Sequence, residues 1–141
     1  PGLEIVEASI ADIPTLRRIE AEVLEFERGE MFDFLLDDRR GFLYRRDGRD
    51  AGFGFVGERG IGPIAALDPV DQPGMLAHVE RVSAEIGREE VGFEVPMVNE
   101  VAMTHLLGRG FRMDTFFTFL LSSRPFGQFD RFIGFAPPFV L

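Results

Sequence analysis

A chain of 141 residues, 45% hydrophobic with sixteen Phe, can build one domain with a substantial core, which excludes disorder. Its net charge of −9 argues against nucleic acid as a partner, and zero Cys excludes disulfides, thiol catalysis and zinc–thiolate sites. No apolar run reaches the roughly 18 residues that span a bilayer, so no membrane partner is expected, and the lack of Cys agrees with a cytoplasmic protein.

The chain opens Pro-Gly, so either an initiator Met was clipped or a longer protein precedes it. Residues 3–8 read as a first strand. Ser9 or Asp12 can cap the helix that follows, with Pro14 in its first turn, where a missing N–H costs little. Leu16, Ile19, Val23 and Phe26 recur at helical spacing, with Arg17, Arg18, Glu20, Glu22 and Glu25 on the wet faces. A second helical patch covers residues 31–36, with Phe32, Leu35 and Leu36 toward the core. The charged run Asp37-Asp38-Arg39-Arg40 then reads as a solvated helix end.

Three strands follow, at 41–45, 51–56 and 60–67. Asp47-Gly48 is a hairpin signal between the first two, and Gly57-Glu58-Arg59-Gly60 joins the next pair. Residues 72–86 form a helix closed by Gly87, with Leu76, Val79, Val82 and Ile86 apolar. Residues 91–97 read as a strand, 99–107 as a helix and 111–121 as a long strand. The tail, 122–141, is aromatic rather than polar and should pack on something. The order is β α α β β β α β α β, an α+β pattern.

Three features resemble the GNAT N-acetyltransferase superfamily across residues 3–121. Glu94-Val95 ends a strand, Asn99 opens a helix after three intervening residues, Ala102 follows, and Gly110-Phe111 closes the unit. Leu67 and Pro69 match a Leu-x-Pro where a long strand meets the main helix, and the element order agrees. The resemblance implies a mixed, mostly antiparallel sheet of six or seven strands with helices on both faces, forming one domain over 1–141. The closing Phe-Asp-Arg-Phe-Ile-Gly-Phe-Ala-Pro-Pro-Phe resembles the end of two-domain members, which suggests a C-terminal half.

The implied activity is transfer of an acetyl group from acetyl-CoA to a small-molecule or peptide amine. Ala66 and Leu67 would offer backbone groups to the pantetheine arm. The pyrophosphate would lie on N–H groups at the start of the main helix, where the dipole is positive. The family's loop falls on Gln72-Pro73-Gly74-Met75-Leu76-Ala77. Gln72 and Ala77 fit it, but Met75 replaces the Gly, Pro73 removes a donor, and Asp68 and Asp71 bring like charge. Asn99 would support the cofactor edge while capping its helix. The Tyr that many members use to protonate the leaving thiolate is Leu106 here, and the one Tyr is Tyr44.

Glu94 reads either as a general base or as a strand-end carboxylate facing water or an Arg. His78 and His105 read as surface or packed histidines rather than metal ligands. Phe116, Phe117 and Phe119 read first as packing residues and second as an acyl or aromatic pocket. Ser122-Ser123 reads as a turn before Pro125. The alternative to an enzyme is a non-catalytic structural partner of a second GNAT domain, or a homodimer joined through the Phe-rich tail.

Overall fold

The central strands are buried on both faces, and this decides where the helices go. β2 (Arg40–Arg46), β3 (Arg49–Gly57) and β4 (Gly60–Ala66) form two successive antiparallel hairpins. The first turns at Asp47-Gly48, with φ of 52° and 74°, the hand that suits the twist of paired strands. β1 (Glu4–Glu7) pairs with β2, and β5 (Phe132–Ile133) pairs with β4. This computed structural model describes residues 2–135. Among them the sheet has five strands in the order β1-β2-β3-β4-β5, every neighbouring pair antiparallel.

Side chains alternate across this sheet to make two cores. On one face Phe42, Tyr44, Ile61, Ile64 and Ile133 meet Met75, Leu76, Val79 and Val82 of α3 (Gln72–Glu85), with Ala102 and Leu106 of α4 (Glu100–Gly108). On the other, Leu43, Phe53, Phe55, Ala65 and Phe132 meet Leu16, Ile19 and Val23 of α1 (Ile13–Leu24), with Phe32 and Leu35 of α2 (Met31–Asp38). Each of the Val, Leu, Ile, Met and Phe side chains among these contributes about 1.5–3 kcal/mol on burial. Helices therefore cover both faces of an α+β domain, as the sequence pattern leads one to expect.

The helices begin and end where the sequence marks them. Pro14 sits in the first turn of α1, and Glu25 ends it in a left-handed conformation with φ of 64°. Ser9 precedes the short 3-10 turn before α1, where its backbone N–H donates to Asp12 Oδ2 at 2.8 Å. Gly87, with φ of 83°, follows α3, and the Asn99 side chain caps α4 by accepting from Ala102 N at 3.2 Å.

Two expected strands do not form. Residues 91–97 make a single bridge, Glu94 to Gly134, and residues 111–121 carry no strand at all. The count is thus five rather than six or seven, and the sheet is wholly antiparallel rather than mixed. The physical reason lies at β4, whose outer edge bonds to β5 from the tail and leaves residues 91–97 no ladder to join. Phe116, Phe117 and Phe119 are correspondingly exposed instead of packed.

The charged run at the end of α2 is exposed at Asp37 and Arg40, as expected, but not at Arg39. Arg39 is buried: its Nη1 donates to Gly62 O at 2.7 Å, and its guanidinium lies 5.0 Å from the centre of the Phe135 ring. The aromatic tail does pack. Phe126 meets Phe26 and Phe129, and Phe129 meets Phe132. The rest of the tail, residues 136–141, lies outside the described residues. No helix among the described residues is long and apolar enough to cross a membrane.

Candidate functional site

The end of β4, the start of α3 and the Asn99 cap converge at one edge of the sheet, where the resemblance puts a cofactor. What fills this edge is the chain's own tail. Ile64 and Ala65 of β4 pair with Ile133 and Phe132, and Gly134 N donates to Glu94 O at 3.0 Å. β5 thus lies between β4 and the Glu94 segment, antiparallel to both, so those two run in the same direction with a slot between them. Gly62 lets the tail come this close: a Cβ there would meet Gly134 O at 2.1 Å.

Side chains lock the same segment. Gln72 and Asn99 are buried and face each other through their amides. Gln72 Nε2 donates to Asn99 Oδ1 at 3.0 Å, and Asn99 Nδ2 donates to Gln72 Oε1 at 2.6 Å. Each then reaches the tail backbone, Gln72 Nε2 to Asp130 O at 3.0 Å and Asn99 Nδ2 to Phe132 O at 3.2 Å. From the tail side, Arg131 Nη1 donates to Leu67 O at 3.1 Å. A sequence in which Gln72 and Asn99 lie 27 residues apart brings them together because one opens α3 and the other caps α4, and these helices pack. Such buried amides are retained only when satisfied, and these are.

The remaining members of the expected loop divide by solvent access. Met75 and Leu76 point into the core, and Ala66 is buried opposite Gly52. Gly74 and Ala77 are exposed, with Leu3 against Gly74. Asp71 is buried and paired with Arg46 at 2.6 Å, while Asp68 Oδ1 accepts from Val70 N at 3.0 Å. Two carboxylates therefore stand just ahead of α3, where an anion would need a positive field.

Acetyl-CoA does not fit this edge as it stands. β5 pairs with Ile64 and Ala65, immediately before the Ala66 that would receive the pantetheine, and Leu67 O is taken by Arg131. The Met75 side chain occupies core volume at the position where the resemblance calls for Gly.

Glu94 is different. It lines an open groove of about 490 Å³ together with Val91, Phe93, Val95, Met103, Leu106 and Phe117, among others. Its half-buried carboxylate has no hydrogen bond or ion pair among the described residues, so it is not paired with an Arg. Partial burial pushes its carboxyl up from the ordinary glutamate value. A carboxylate so placed can accept a proton or bind a cation at the groove wall. Phe116 also lines this groove, in keeping with the pocket reading of that residue.

The tyrosine is unavailable for chemistry at either place. Tyr44 is buried in the core, its hydroxyl 2.8 Å from His78 Nδ1, and burial pushes the phenol up. His78 is a packed histidine: Phe42 meets it edge-on with centroids 4.6 Å apart, and burial lowers its pKa. Among the described residues no group of His, Asp and Glu is placed to hold a metal ion.

The residues that sequence reasoning missed are Asp130, Arg131, Phe132, Ile133 and Gly134. The aromatic character of the tail signalled packing, but no spacing identified β4 as its partner. Compared with known protein families, curated proteins and solved structures, the chain matches none.

Proposed function

We propose that this chain is a GNAT-like domain serving as the non-catalytic, structural half of an N-acetyltransferase, beside a second domain that carries the cofactor. One observation carries the reading. Leu67 O, Gln72 and Asn99, all assigned to acetyl-CoA by the resemblance, are bonded to residues 130–132 of the same chain, and β5 pairs with Ile64 and Ala65 just before Ala66. The parallel run of β4 and the Glu94 segment, α3 starting just past β4, and the Asn99 cap support the GNAT-like part. Met75 and the Asp68–Asp71 pair support the loss of phosphate binding. In this reading the tail strand does permanently what a bound pantetheine arm does transiently, and the domain is rigid without ligand.

The groove at Glu94 favours a second reading, in which this half also receives the acceptor amine. An unpaired carboxylate beside apolar walls attracts an ammonium group and holds its carbon skeleton. The test is thiol release from acetyl-CoA with a panel of small-molecule and peptide amines. Because the chain has no Cys, it contributes no background thiol. The structural reading expects no release above the uncatalysed rate, and turnover by the isolated chain contradicts it.

A further inference from the structure

The slot accounts for the tail but leaves the segment before it without a partner. Half or more of each of Met113, Phe116, Phe117, Phe119, Leu120 and Leu121 is exposed, reaching 85% at Phe119 and 89% at Leu121. Among the described residues, 112–121 make no backbone–backbone hydrogen bond; Thr115 N donates only to the neighbouring Asp114 side chain. An apolar, β-prone stretch with unpaired backbone groups is a template for another strand.

We infer that two copies of this chain associate by antiparallel pairing of residues 111–121 about a twofold axis at Phe116. Three observations select a second copy. First, the segment is self-complementary. With Phe116 on the axis, Phe111 faces Leu121, Met113 faces Phe119 and Thr115 faces Phe117, so the apolar side of one strand continues that of the other. Second, charge permits it. The chain carries −9, yet this segment holds one Arg and one Asp, Arg112 and Asp114, so two acidic molecules meet where their repulsion is least.

Third, the area is sufficient. A large side chain offers about 200 Å² when free, so Met113, Phe117, Phe119 and Leu121 on one side of the paired strands present on the order of 560 Å² per copy. Phe116 and Leu120 on the other side bring the total to about 800 Å², the order of one partner's share in a standard interface. The groove adds a seat. Phe111, Arg112, Met113 and Asp114 form part of its wall, and in this register the second copy's 118–121 run alongside that wall. Its apolar side chains fill the groove beside Phe93, Val95 and Met103.

Sedimentation equilibrium and one engineered cross-link test the pairing. The wild-type chain is expected at about 32 kDa, twice its 15.9 kDa, because interfaces of this size bind at about micromolar affinity or tighter. Phe119→Arg is expected to return it to the monomer mass with an unchanged thermal melt, since the side chain touches little of its own fold. Phe116→Cys is expected to form a disulfide-linked dimer on mild oxidation, because directly opposed strand residues have Cα atoms about 5 Å apart. Ile10→Cys, on an exposed site elsewhere, is expected not to. A wild-type monomer at about 100 μM overturns the inference. So does a dimer that Phe119→Arg leaves intact, or one that Phe116→Cys does not link.

Discussion

Replacing Asn99 with Ala removes a side chain that bonds to α3, α4 and the tail together. The variant loses the cap on Ala102 N, both bonds to Gln72 and the bond to Phe132 O. A lost N-cap costs about 1 kcal/mol, and Gln72 Oε1, left buried without a partner, costs a further 1–3 kcal/mol or so. The sum is about 3 kcal/mol, which at a urea m-value of about 2 kcal/mol/M shifts the midpoint by roughly 1.5 M. Urea unfolding followed by circular dichroism reads it directly. Coupling is the sharper readout. Once Gln72 is Ala, losing Asn99 should cost about 1–2 kcal/mol less than in the wild type, because the orphaned amide is already gone. A single-mutant loss below about 1 kcal/mol, or strict additivity, would refute the amide clamp.

Other outcomes follow from the same geometry. Gly62→Ala sets a Cβ against Gly134 O at a residue with φ of 90°, and is expected to cost upwards of about 2 kcal/mol while lowering hydrogen-exchange protection at Ile133 and Gly134. The His78 pKa lies below its unfolded value, because burial first, and Arg81 next, disfavour the cation. Its neutral form therefore supports the fold above about pH 6.5, and that support is lost as pH falls toward the lowered folded value. The stability of the wild type relative to His78→Gln should accordingly drop between about pH 7 and pH 5 in urea titrations. Glu94 has the opposite shift: its folded value is raised, so the penalty is absent in acid and grows as the group ionises. Glu94→Gln should raise the urea midpoint at about pH 8 and leave it near wild type at about pH 4.

Much of the scaffold was legible because local chemistry and global packing agree there. Asp47-Gly48 takes the positive φ that its hairpin requires, Pro14 and Gly87 bracket helices, and Asn99 caps α4. The failure of 91–97 and 111–121 to form strands was not legible, because strand character belongs to a pair of segments and not to one. Both are apolar enough to be strands, yet the β4 edge is taken by Phe132-Ile133, a dipeptide too short to show alternation. Arg39 looked like surface charge within a run of four. Its burial follows from a tertiary neighbour, Gly62 O, that lies 23 residues away. The site was half legible. Gln72 and Asn99 do act together, but upon the tail, and only coordinates reveal that Leu67 O has Arg131 for a partner.

The account turns on who owns the β4 edge, and calorimetry asks this most simply. Acetyl-CoA titrated into the isolated chain at 25 °C should give no saturable heat up to about 1 mM ligand, since the tail strand already holds those groups. A saturating isotherm with a Kd of about 10 μM or tighter would contradict it and return Gln72, Asn99 and Leu67 to the cofactor.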